Sequence, residues 1–192
     1  MSSISILGDT SGSVLLQAPA ISGSTTLTLP AKSGTVLTTQ TTGTVIQTVF
    51  ASTTTGNTVN STSLVASNLV GTITPQYSNS KILIMYGIGM TATNTTNSFN
   101  IRNQIYRSIS GGSAGFIGTL CNMYSLDARN AGTIYGQQYF QCCQNYLDSP
   151  ATTSAISYTV YGSVTSQAGS AVSGDFLGFN GIGTMVLQEI AQ

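Results

Sequence analysis

The side chains able to do chemistry are few, and their types already restrict what the chain can do. Its 192 residues include no histidine. The acids are Asp9, Asp127, Asp148, Asp175 and Glu189, the bases are Lys32, Lys81, Arg102, Arg107 and Arg129, and the thiols are Cys121, Cys142 and Cys143. Without an imidazole neither a Ser-His-Asp nor a Cys-His arrangement can be built. The common zinc sites need histidine or several closely spaced cysteines, and these three are too unevenly placed. The chemistry left open is a pair of carboxylates in the manner of a glycoside hydrolase, which needs two acids roughly 5 to 10 Å apart. Asp148, in Leu147-Asp148-Ser149-Pro150, reads instead as a turn residue accepting backbone N–H bonds, and Asp127 as the loop partner of Arg129 two residues on. The expectation is a protein that is not an enzyme and needs no cofactor and no metal.

Binding is better supplied. Tyrosine is the commonest aromatic, with nine copies against six Phe and no Trp. A phenol offers an apolar face and a hydroxyl, and it loses little rotamer entropy when fixed. Tyr86, Tyr106, Tyr158 and Tyr161 fall inside apolar runs and read as core or interface. Tyr124, Tyr135 and Tyr139, with Asn94, Arg129 and Asn130, fall in or beside loops and are the candidate receptor contacts, suited to a neutral surface glycan. Ser110-Gly111-Gly112-Ser113-Ala114-Gly115 reads as a hairpin connection.

These residues sit in an unusual background. Charged residues are 5% of the chain and its net charge is zero, whereas an ordinary soluble domain is about a quarter charged. Apolar residues still make up 41%, enough for a real core. Scattered cations and zero net charge argue against a nucleic-acid partner, which would demand clustered Lys and Arg. A neutral surface is a solubility hazard for a monomer, so the composition favours an assembly that hides part of it. No run reaches the ~18 apolar residues of a membrane helix, and the start lacks the basic and apolar regions of a secretory signal. An odd set of cysteines points to reduced thiols. Neighbours along a strand face opposite ways, so Cys142 and Cys143 are not expected to pair.

The elements that must position these groups are strands. Thr, Val, Ile, Tyr and Gly disfavour helix throughout. Residues 1–45 hold short alternations at 14–17, 25–29 and 36–37, ended by Gly and Pro. Ribbons this small are marginal alone in water, so Leu27, Leu29, Val36 and Leu37 are expected to be covered by sister chains. Residues 46–192 hold longer runs, with strands expected at 45–52, 64–70, 81–92, 98–109, 118–126, 137–146, 156–165 and 184–190. Eight strands at this spacing predict an all-β, jelly-roll-like sandwich. The run Lys81–Met90 should be a central strand buried on both faces, and the less regular last strand should close the sheet.

The leading residues carry a resemblance. Leu7-Gly8-Asp9-Thr10-Ser11-Gly12-Ser13-Val14-Leu15-Leu16-Gln17-Ala18-Pro19-Ala20, then Gly23-Ser24-Thr25-Thr26-Leu27-Thr28-Leu29-Pro30 and Gly34-Thr35-Val36-Leu37-Thr38-Thr39, resemble a module of bacteriophage tail-fibre and other virion structural proteins. Ser80-Lys81-Ile82-Leu83-Ile84, Leu147-Asp148-Ser149-Pro150, Thr152-Thr153-Ser154-Ala155 and Leu187-Gln188-Glu189-Ile190 look like a C-terminal domain found with that module. The resemblance implies a virion protein made in the host cytoplasm, a homotrimer contacting other virion proteins through its N-terminus and presenting a β knob to the host. At this length the chain lacks the long shaft of most fibres. A capsid decoration protein that cements the head would read similarly, and a polysaccharide-degrading enzyme is the remoter alternative.

Overall fold

The computed structural model describes residues 3–7, 9–17, 41–94, 99–124, 136–166, 173–177 and 181–192. The chain divides into two compact units, Met1–Val36 and Leu37–Gln192. Every named element is a strand.

In the first unit β1 (Ser3–Leu7) pairs antiparallel with β2 (Ser13–Gln17). β2 coincides with the expected alternation, whereas β1 is an addition: Ser3-Ile4-Ser5-Ile6 carries the period-2 pattern over too few residues to stand out. Gly12, at φ +80, turns the chain into β2 where a side chain would be strained. The register sets Ile4 opposite Leu16 and Ile6 opposite Val14 on one face of the ribbon. The expected strands at 25–29 and 36–37, with Leu27, Leu29, Val36 and Leu37, lie outside the described residues.

The second unit holds β3 (Val45–Thr53), β4 (Val65–Ile73), β5 (Lys81–Asn94), β6 (Phe99–Ile109), β7 (Gly115–Tyr124), β8 (Gly136–Asp148), β9 (Ile156–Ser166), β10 (Ser173–Phe176) and β11 (Gly183–Ile190). The pairing is nested: β6 with β7, β5 with β8, β4 with β9, β3 with β11, all antiparallel. This unit is in effect one long hairpin rolled up into two sheets. Sheet I runs β8-β5-β11-β3 and sheet II runs β4-β9-β6-β7. β10 shares an edge of β5 with β11. This is the jelly roll.

The innermost turn shows why the roll starts there. Ser110 (φ 51) and Gly111 (φ 73) both take the left-handed conformation, and the Gly112 N–H donates to the Ile109 carbonyl at 3.0 Å. Two positive-φ residues in a tight turn match the right-handed twist of the flanking strands. The hairpin register brings Gly115 opposite Arg107, so β7 begins three residues earlier than its composition suggests.

Strand alternation builds the core. Ile82, Ile84 and Ile88 of β5 meet Ile101 and Ile105 of β6 and Tyr158 and Val160 of β9 in one buried cluster with Met185 and Leu187 of β11. Each such side chain stabilises the fold by ~2 kcal/mol when fully buried. Two expectations are corrected. β5 is central but not buried on both faces: Lys81, Leu83, Met85 and Gly87 remain partly open, because the sandwich covers one side of the sheet. β11 does not close an edge. It fills the middle of sheet I between β5 and β3, and its burial alternates without a break.

Candidate functional site

Two of the carboxylates, Asp148 and Glu189, are engaged in holding the sandwich together. Asp148 ends β8 in sheet I and reaches across to sheet II, where Arg107 Nη1 of β6 donates to both its oxygens at 2.9 Å. The Tyr158 hydroxyl of β9 donates to Oδ2 at 2.8 Å. Burial first, then the Asp148 charge and this hydrogen bond, push the Tyr158 phenol above its ordinary range, against the pull of Arg107. The expectation that Asp148 accepts backbone N–H groups in a turn is thus corrected: side chains on the opposite sheet take that role. Glu189 of β11 is fully buried. It accepts from the Gln76 and Tyr77 N–H groups at 2.8 and 3.2 Å and from Gln47 Nε2 at 2.6 Å, pinning the connection before β5 to the last strand. Asp127 lies outside the described residues. Among the described residues no group of three or more His, Cys, Asp or Glu could hold a metal ion. Nor is any helix there long and apolar enough to cross a membrane.

Among the described residues, two surfaces open to a ligand are the outer faces of the sheets. On sheet II the register places Phe116 of β7, Tyr106 of β6, Thr159 of β9 and Val70 of β4 in one cross-strand row. Tyr161 of β9 lies in the next row, opposite Gln104. The Tyr106 ring centroid is 4.3 Å from Tyr161 and 6.0 Å from Phe116, within the range in which aromatic rings attract. Phe116 is 51% exposed, and Tyr106 and Tyr161 are half-buried. Around this aromatic island stand neutral polar groups: the Gln104 amide, which accepts from the Tyr106 hydroxyl at 3.5 Å, Ser108, and Ser157 hydrogen-bonded to Thr72 at 3.1 Å. Arg102 lies on the same parity, exposed.

Of the expected contact residues, Tyr139 is not part of this island. Tyr139 stands on β8 at the outer face of sheet I, 46% exposed. Its ring lies over Gly89, where a Cβ would collide with it, and its hydroxyl donates to Gln141 Oε1 at 2.9 Å. Tyr124 closes β7 in sheet II opposite Asn100, and Asn94 ends β5 opposite Gly136. Tyr124 and Tyr139 are therefore on different sheets. Tyr135, Arg129 and Asn130 lie outside the described residues. Tyr86 and Tyr158 are core as expected, whereas Tyr106 and Tyr161 face outward. Parity along the strands carries the missed signal. Tyr106 shares its face with Arg102, Gln104 and Ser108, and Tyr161 with Ser157 and Thr159, all polar.

The outer face of sheet I is of another kind. Phe50, Val186, Met85 and Asn145 form one cross-strand row and Thr48, Gln188, Leu83 and Leu147 the next. Gly87 opens a shallow groove of about 490 Å³ lined by Met85, Cys143, Asn145, Thr184 and Val186 among others. Cys142 is buried and Cys143 exposed, on opposite faces as neighbours along one strand must be.

No protein-family model matches the sequence, and no curated protein matches it. Among solved structures the fold is similar to a chain in the structure of infectious bursal disease virus Gx strain. The TM-score is 0.36 and the identity 15%, over 94% of this chain and 43% of that chain. The chain spans less than half the length of that one, and a likeness so distant carries no argument about function. What the fold defines is an all-β jelly-roll sandwich preceded by a β ribbon.

Proposed function

We propose that this chain is a virion structural protein of tail-fibre type, an obligate homotrimer rather than an enzyme. Its leading β segment joins copies of the chain to one another and to other virion proteins. Its jelly roll adheres to the host surface. The observation that carries the reading is the ribbon β1–β2. Ile4, Ile6, Val14 and Leu16 lie together on one of its faces, each between 50% and 66% exposed. A two-stranded ribbon is marginal in water, and an apolar cluster of this kind needs a covering surface, which copies of the same ribbon supply. Adhesion is assigned to the aromatic island of sheet II, whose rings, amide and hydroxyls suit a neutral glycan. Several such knobs turn weak contacts into firm attachment by avidity.

Light scattering on the purified full chain tests the assembly: a mass near three times 19.8 kDa is expected, and a lone chain at micromolar concentration overturns the reading. Binding to bacterial cells and to purified capsids then separates the roles. Binding to cells supports adhesion. Binding to capsids alone replaces it with decoration of the head.

A further inference from the structure

We infer that the aromatic island of sheet II holds the middle of a linear glycan chain laid across the strands, and not a terminal sugar. This rests on the adhesive reading proposed above and narrows its ligand to a run of consecutive neutral sugar units. The three rings form a path over neighbouring strands, from Phe116 on β7 through Tyr106 on β6 to Tyr161 on β9. Their centroids are separated by 6.0 and 4.3 Å, close to the ~4.8 Å strand spacing that sets them. A sugar ring is about as wide as a phenol ring, so the path offers stacking surface to about two consecutive sugars.

The ends of the path decide which part of the chain fits. Beyond Phe116 the sheet stops, because β7 is its edge strand. Opposite Tyr161 on β4 stands Ala66, exposed and too small to form a wall. A site that takes the tip of a chain is concave and closes around it, whereas a path open at both ends lets the chain run on past it. The rings are also tilted, by 56° between Tyr106 and Phe116 and by 36° between Tyr106 and Tyr161. A flat crystalline surface cannot touch all of them; a single chain that turns from unit to unit can. The margins are polar on both sides. Gln104 shares the row of Tyr161, and Ser108, Ser157 and Thr72 form the row on the other side of Tyr106. There they meet the hydroxyls at the two edges of a sugar whose face rests on the rings. Arg102 is the one charge on this face among the described residues, and it stands beyond Gln104, off the path. A neutral chain therefore passes without an unpaired charge beneath it.

The experiment prints purified bacterial surface polysaccharides on an array and takes those that retain the full-length protein. Free fragments of each then compete, as mono-, di-, tetra- and hexasaccharides. A free fragment engages a single knob, so avidity does not enter. The tetrasaccharide should compete about tenfold better than the monosaccharide, the gain of one further ring contact, with little added by the hexasaccharide. Phe116→Ala and Tyr161→Ala, at the two ends of the path, should each remove most of that tenfold. Tyr161→Phe keeps the ring and should retain it, and circular dichroism checks the sandwich in every variant. A monosaccharide that competes as well as its hexasaccharide overturns the internal-chain site and leaves the adhesive reading standing. A length dependence that survives in both alanine variants removes the site from this island. A wild type retained by no polysaccharide overturns the adhesive reading as well.

Discussion

The two outer faces of the jelly roll are made of the same backbone in the same pairing, yet they are chemically unlike. Sheet I presents Phe50, Met85, Val186, Leu83 and Leu147 interspersed with Asn145, Gln188 and Thr48, with one cation, Lys81, among its four long strands. Sheet II presents three aromatic rings ringed by amides and hydroxyls. An aliphatic patch gains from water exclusion alone and asks for a large, shape-matched partner. An aromatic-polar patch recognises small oriented groups through ring faces and hydrogen bonds. The pairing scheme is indifferent to this choice. The residues of outward parity decide it, and the proposed adhesive role falls on the aromatic face.

The largest effect that can break the contrast comes from severing the sheets themselves. Asp148→Ala leaves Arg107 and the buried Tyr158 hydroxyl without their acceptor, at a cost of about 3 to 5 kcal/mol. Denaturant unfolding should show the loss, and both faces should fail together. A cost under about 1 kcal/mol would mean that the clamp does not tie the two sheets.

Alkaline pH tests the same tie more gently. The Tyr158 phenol is raised in the fold above its unfolded value near 10, so its contribution is fully present below pH ~10. It is lost above that, as the unfolded chain releases its proton first, by up to about 1.4 kcal/mol per pH unit. Stability of the wild type relative to Tyr158→Phe should therefore narrow between pH ~10 and ~11; a constant difference refutes the assignment.

Binding sharpens the contrast further. Phe116→Ala and Tyr106→Ala should each weaken attachment to cells by about tenfold, the equivalent of ~1.4 kcal/mol of ring contact, with the assembly mass unchanged. Equal losses from Tyr139→Ala, on sheet I, would move the adhesive face to the other sheet. The smallest effect is in the turn that joins β6 and β7 behind the aromatic row. Gly111 has open space around it but a φ of +73, so Gly111→Ala should cost ~1 kcal/mol through backbone strain alone. A calorimetric shift of a few degrees checks it.

Much of this architecture was legible. The eight long strands follow from period-2 runs bounded by Gly, Pro, Asn and Ser, and the low helix propensity of those runs left no competing class. β10 was not legible, since Ser173–Phe176 is too short to show a period. Neither was the position of β11, because nesting depends on which distant strand covers its backbone groups. The site was legible only in part. Tyr139 could be placed in the open by its neighbours, but Tyr106 and Tyr161 read as core or interface, because an aromatic inside a strand is usually covered. Comparing each with the residues two positions away corrects that, as Gln104 and Thr159 are polar on the same side.

By itself the order of residues excluded histidine chemistry, forced the chain into strands and made its surface nearly free of charge, because those properties belong to side-chain types and to local backbone preference. Folding alone decided which carboxylate meets which cation, and which alternating set faces out. Arg107 and Asp148 stand 41 residues apart along the chain, and only long-range strand pairing converts that separation into a 2.9 Å contact between sheets.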